Sequence, residues 1–297
     1  MKSMKVGYFI FCLCFCLCLH SADIDLVIFS YNRPMQLYAF LESLEMQVTG
    51  LRDTTVIYRT SSPSYEEGYA IVKRDFPHVF FKQQQHERAS ADFKPLVLES
   101  AFSRDSLSGY ILFAVDDIVM TRSVDLCLAA EVMDREGAYA CFFRLGLDID
   151  HCYMLDERSG LPPFKKVAGE YFSWQFEKGK GDWMYPNNVD FTMYRKQEVF
   201  PFFFYAPYTF PNDLEAYWAR LANLALFGIC PPESCMVNIP MNVVSSFCNR
   251  QMNYKSAEEL LTLFMQGYKM DVSALQGREH NSPHFPITPT FILRGSH

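Results

Sequence analysis

Short apolar runs alternate with amphipathic stretches through the first half of the chain. Leu26-Val27-Ile28-Phe29 is a continuous apolar run of strand length. Such runs belong to strands covered on both faces. After it the period changes, and Leu37, Phe40, Leu41 and Leu44 recur at helical spacing over residues 34–46. Pro34 suits the first turn of that helix. Further strands are predicted over 54–58, 79–81, 111–115 and 139–144, with helices over 65–74, 93–101 and 124–134. This alternation predicts an α/β domain with a mostly parallel central sheet. The second half is less regular. It predicts an edge strand at 171–177, a strand at 191–194, a helix from Lys196 and an extended segment at 236–240. A helix over 214–226 takes Asn212 or Asp213 as its N-cap, and another helix covers 257–266.

The start of the chain follows a different pattern. Lys2 and Lys5 precede an apolar run over 6–19, and His20-Ser21-Ala22 closes it. Residues 1–22 therefore read as a secretory signal peptide or an N-terminal anchor, with a buried strand as a third reading. The run is short for a membrane span. The expected location is accordingly exported or membrane-anchored, with the cytoplasmic face if the leader is an anchor. Residues 23–297 form one domain, whose 49% hydrophobic content suits an ordered core.

Composition narrows the function. The net charge is -7 and no run of Lys or Arg is longer than a pair such as Lys165-Lys166, which argues against a nucleic-acid partner. Six cysteines follow the leader, at 127, 141, 152, 230, 235 and 248. An exported chain permits a bridge between Cys230 and Cys235, or pairing of Cys141 with Cys152; small core residues are the plainer reading. No Cys/His spacing resembles a zinc site.

The strongest local feature is Asp116-Asp117 at the end of the apolar run Ile111-Leu112-Phe113-Ala114-Val115. Ligand sites in open α/β sheets fall at the carboxyl ends of strands. Two adjacent carboxylates there need compensation, by a divalent ion with oxygen ligands or by a capping role for one of them.

Four segments, in this order, resemble the nucleotide-sugar-dependent glycosyltransferases of the GT-A fold, family 2-like. They are Ser30-Tyr31-Asn32-Arg33-Pro34 after the first strand, Phe113-Ala114-Val115-Asp116-Asp117-Ile118, Asp182-Trp183-Met184-Tyr185-Pro186 with Asp190, and Pro211-Asn212-Asp213-Leu214-Glu215. The resemblance spans most of residues 24–245. It implies a GT-A-like fold and transfer of a sugar from a nucleoside-diphosphate sugar to a hydroxyl of a carbohydrate or glycan acceptor.

The resemblance also assigns roles. Asp116 and Asp117 would hold Mn²⁺ or Mg²⁺, with Asp116 also near the donor. Ser30, Tyr31, Asn32, Arg33 and Lys94 would lie along the nucleotide. Asp213 or Glu215 would take the acceptor's proton. Trp183, Tyr185 and Asp190 would face the acceptor, Trp183 as a stacking platform. The chain departs from the pattern in two ways. Its acidic residues are adjacent rather than spaced as Asp-x-Asp, and the region around Asn238 and Asn242 lacks the later His that often joins the metal. The competing function is a non-catalytic secreted glycan-binding protein on a degenerate transferase scaffold. A nucleotidyltransferase ranks below both, because no Gly-rich phosphate loop is present.

Overall fold

The computed structural model describes residues 23–85, 91–103, 109–244, 250–252 and 254–295. The expected leader at 1–22 and Cys248 lie outside the described residues. In chain order the elements are β1 (Ile24–Tyr31), α1 (Pro34–Gln47), β2 (Asp53–Arg59), α2 (Pro63–Asp75), β3 (Phe80–Gln83), α3 (Phe93–Phe102), β4 (Tyr110–Val115) and α4 (Leu126–Glu136). There follow β5 (Ala140–Phe142), β6 (Lys165–Lys166), β7 (Phe172–Gln175), β8 (Thr192–Arg195), α5 (Lys196–Tyr205), α6 (Pro211–Arg220), β9 (Phe227–Cys230) and α7 (Ala257–Met265).

These strands form one sheet in the order β6-β7-β9-β5-β8-β4-β1-β2-β3. β1 is apolar throughout because it is covered on both faces. Ile24, Leu26 and Ile28 enter one core with Phe40 and Leu41 of α1, Tyr69 and Val72 of α2, Ala129 and Met133 of α4 and Leu260 of α7. Val27 and Phe29 enter the other, with Phe93 and Val97 of α3, Phe203 of α5 and Leu214 and Trp218 of α6. The alternation follows the two-residue period of a strand.

The mostly parallel sheet expected from the strand–helix alternation is corrected to a mixed one. β4, β1, β2 and β3 are parallel neighbours. β8 runs antiparallel between β4 and β5, β7 runs antiparallel to β9 and β6 antiparallel to β7. The reversed β8 has a consequence for the site. It begins at the edge where the parallel strands end, and pairing of Thr192 with both Phe113 and Phe142 brings Asp190 level with the ends of β4 and β5.

One of the predicted helices is also corrected. The helix predicted over 214–226 is α6, which starts at Pro211 with Phe210 as N-cap and ends at Arg220, leaving Phe227–Cys230 to join the sheet. The plainer reading of the cysteines is the one found: Cys127, Cys141, Cys152, Cys230 and Cys235 are free thiols, all but Cys127 buried. The membrane assignment is also corrected for the described residues, among which no helix is long and apolar enough to cross a membrane.

Gly68 sets how closely α2 approaches the start of α1. A Cβ there would lie 2.7 Å from Pro34 Cγ and 3.0 Å from Leu261 Cδ1. The proline ring cannot rotate away, so overpacking at this position costs about 1–3 kcal/mol. Gly68→Ala is expected to lower the urea midpoint without changing the slope, as read by equilibrium denaturation followed by circular dichroism.

Candidate active site

The carboxyl end of β1 leads into a loop that the sequence shapes directly. Asn32 takes a left-handed conformation, φ 56°, which Asn tolerates better than most residues. Its side chain fastens the loop to the segment after β2: Oδ1 accepts from the Ser61 N–H at 2.9 Å and Nδ2 donates to Ser61 Oγ at 2.7 Å. Pro34 then begins α1. Ser30 Oγ lies 2.5 Å from the Tyr69 hydroxyl and donates to Asp116 Oδ2 at 2.8 Å. The Tyr31 N–H reaches the same oxygen at 3.2 Å.

Asp116 and Asp117 form the tight turn between β4 and the short strand Ile118–Met120. Arg33 lies between them. Its Nη1 donates to Asp116 Oδ1 at 3.0 Å and to Asp117 Oδ2 at 2.9 Å. Nε donates to Asn242 Oδ1 at 3.0 Å, and Nη2 to the Asn242 carbonyl. Asn238 Nδ2 completes the set by donating to Asp117 Oδ1 at 2.8 Å. Arg33 and Asp116 are only 9% and 3% exposed, so the charges are compensated within the protein. Burial opposes the Arg33 charge, but Asp117 and Asp116 outweigh it and hold the guanidinium above its ordinary pKa. Burial lifts the Asp116 carboxyl to about 6; Arg33 counters this and Asp117 adds to it.

This geometry corrects the expected Mn²⁺ or Mg²⁺ site. All four oxygens of the pair accept from protein N–H or O–H groups, and a guanidinium stands where a cation would have to bridge the two carboxylates. Among the described residues, no group of three or more His, Cys, Asp or Glu side chains could hold a metal ion. The donor set does not fit a divalent ion.

A second cluster shares the same cleft, of about 730 Å³. Arg144, just past β5, is wholly buried and donates to Asp182 Oδ1 at 2.7 Å. Against the upward push of burial, Arg144 and His284 hold the Asp182 carboxyl below its ordinary value. His284 Nε2 lies 3.8 Å from Asp190 Oδ2. Glu215, one turn into α6, accepts from the Val189 N–H at 3.3 Å and has no ion-pair partner among the described residues. Burial, reinforced by Asp190, pushes its carboxyl up to about 8. Asn238 lies between the clusters, since it bonds Asp117 and bridges to His284.

Ser30, Tyr31, Arg33, Asp116, Asp117, Tyr185, Asp190 and Glu215 thus line one cleft. The other sequence-predicted residues are engaged elsewhere. Lys94 donates to the Ala206 carbonyl at 2.7 Å and lies over the Tyr208 ring. Trp183 is 0% exposed, donates to the Ile149 carbonyl and meets Trp174 edge-on, so its ring offers no open face for stacking. Asp213 Oδ2 accepts from the Thr209 N–H and Oγ1 at 2.9 and 3.1 Å, a fastening of the turn before α6. Arg59, Arg144, His284, Asn238 and Asn242 also line the cleft, and none of them falls in the four segments that carry the resemblance. Arg59 and Arg144 carry a signal in hindsight: each is a charged residue at or just past the carboxyl end of an apolar strand.

No protein-family model matches this sequence, and no curated protein matches it. Solved structures give distant likenesses. S. aureus TarS 1-349 in complex with UDP-GlcNAc is similar at 16% identity and TM-score 0.40, covering 71% of this chain and 59% of that one. Mannosyltransferase PcManGT from Pyrobaculum calidifontis, in complex with GDP-Man and Mn²⁺, is similar at 12% identity and TM-score 0.44, covering 74% and 57%. The 4-diphosphocytidyl-2C-methyl-D-erythritol synthase of Anaerococcus prevotii is similar at 10% identity and TM-score 0.38, covering 84% and 98%. The chain spans about three fifths of the length of the TarS and PcManGT chains. Likeness at these identities and scores assigns neither a family nor an activity.

The raised Glu215 carboxyl has a consequence for stability. The folded protein keeps this proton up to about pH 8, whereas an unfolded chain releases it near pH 4. Its contribution is therefore fully present below the unfolded pKa and is lost as pH rises to the folded one. Glu215→Gln is expected to raise Tm at pH 8.5, with the gain shrinking toward pH 5, in a thermal-denaturation series across that range.

Proposed function

We propose that this cleft binds a nucleoside-diphosphate sugar and transfers the sugar to a hydroxyl of a carbohydrate acceptor, with Glu215 as the base. The observation that carries the reading is the pairing, in one cleft, of a strand-end loop bearing Arg33 with a titratable carboxyl, Glu215, that has no ion-pair partner among the described residues. Loops at the carboxyl ends of parallel strands are the usual ligand positions of open α/β sheets. A carboxyl held near neutrality is suited to proton transfer. The order of the four sequence segments supports the same reading.

In this reaction the acceptor oxygen forms a bond to the anomeric carbon while the bond from that carbon to the diphosphate oxygen breaks. The nucleoside diphosphate leaves with the electron pair, and the acceptor's proton passes to a Glu215 oxygen. Asp190, Tyr185 and the Arg144–Asp182 pair surround this carboxyl and supply hydrogen-bonding groups for the acceptor. Asp116 is a positioning residue, because it orders Ser30, Tyr31 and Arg33.

A base must be ionised to act, so turnover is expected to rise with pH and level off above about 8, following the raised Glu215 carboxyl. Glu215→Gln should lower kcat by about 100-fold or more. Asp213→Asn should retain most activity, because Asp213 serves the Thr209 turn. The assay is release of nucleoside diphosphate from a panel of nucleotide sugars and glycan acceptors, run from pH 6 to 9. Loss of activity in Asp213→Asn with an active Glu215→Gln would reverse the assignment. Glycan binding without any release would favour the non-catalytic reading.

A further inference from the structure

Arg33 is already committed to the protein. Its hydrogen bonds occupy four of the five N–H groups a guanidinium offers, all directed to Asp116, Asp117 and Asn242. With both carboxylates ionised, the three charged groups together carry one net negative charge. A diphosphate brought to this loop would be repelled unless further positive charge faces it, and the donor set does not fit a metal ion.

One residue meets that need. Arg59 is the last residue of β2 and pairs in register with Tyr31 at the end of β1. It lines the same cleft. Its guanidinium carbon lies 4.8 Å from the centroid of the Tyr31 ring. Among the described residues its side chain has no carboxylate partner and no hydrogen bond, in contrast to Arg33, Arg144 and Arg250, which are all salt-bridged. Stacking on an aromatic face restrains a guanidinium while leaving its N–H edge open to an anion. The Arg59 carbonyl accepts from the Asn32 N–H at 3.3 Å, so its backbone is tied to the same loop.

We propose that Arg59, held by Tyr31, is the diphosphate-binding cation of the cleft, and that nucleoside-diphosphate binding requires no divalent ion. Arg33 then acts as the internal counter-charge that lets Asp116 and Asp117 remain at the strand end. This proposal rests on the donor-site reading given above.

Isothermal titration of the full chain with UDP, GDP and inorganic pyrophosphate, in EDTA and again with Mn²⁺, tests it. The wild type is expected to bind at least one of them in EDTA, with affinity changing less than about twofold on adding Mn²⁺, and to weaken steeply with salt. Arg59→Met should weaken binding by about tenfold or more, and Arg59→Lys should recover part of it. Among the described residues the Arg59 side chain makes no hydrogen bond, so the variants should keep a Tm close to the wild type. Unaltered binding in Arg59→Met, or binding that appears only with Mn²⁺, would overturn the proposal while leaving the donor site intact. Absence of binding by the wild type in every condition would overturn the donor-site reading itself.

Discussion

The ionic contact of Arg33 with Asp116 and Asp117 holds the site together. It joins three pieces of chain far apart in sequence: the loop after β1, the turn after β4 and the segment from Asn238 to Asn242. Each piece needs the others. Removing one partner from a buried ion pair costs about 3–5 kcal/mol, because the remaining charge is stranded. Here the stranded group would be either a guanidinium or two carboxylates sharing one turn. The ends of β1 and β4 are therefore fixed relative to each other by charge as well as by the sheet, and a loop held this way is preorganised for a ligand.

The reversed direction of β8 supplies the rest of the cleft. In an all-parallel sheet every strand would leave the ligand edge through a loop and return at the opposite edge. β8 instead starts at the ligand edge, so the chain arrives there carrying Asp182, Tyr185 and Asp190 in sequence. The aromatic core beneath it, Phe113 stacked on Phe203 with Trp218 edge-on, seats α6 and so places Glu215 beside Asp190. Arrangement of the second cluster follows from one strand's direction and from rings packed under one helix.

Much of the first half was legible from its pattern, because both-face burial writes itself as an unbroken apolar run and Pro34 marks a helix start. The acidic pair was legible as a site for the same positional reason. Its compensation was not, since the cation that meets it comes from residue 33 and the sequence offers no spacing rule for a contact across the sheet. The adjacency of the carboxylates and the Asn residues in place of His are departures from the pattern of the resemblance, but neither names the cation that fills the place of a metal. Trp183 and Asp213 show a different limit. An aromatic in a Gly-rich loop and an acid in a helix's first turn have the same pattern whether they face a ligand or the core. Burial of Trp174 beside the first, and Thr209 beside the second, decided their placement. The end of α6 was misjudged because Leu221, Leu224 and Leu226 continue an apolar rhythm after the backbone has left the helix.

The two clusters differ in what their charges are free to do. In the first, Arg33 keeps Asp116 and Asp117 engaged, and a proton exchanged there would break the contacts that shape the loop. In the second, Arg144 is taken up by Asp182, and burial with the charge of Asp190 holds the Glu215 proton to about pH 8. A group that must accept a proton during a reaction cannot also be an obligatory partner in the framework. Glu215 is bound to the framework by one long hydrogen bond from Val189, whereas Asp116 is bound by three donors. That difference in attachment, more than proximity to the sequence motif, is the reason Glu215 rather than Asp116 is the proposed base.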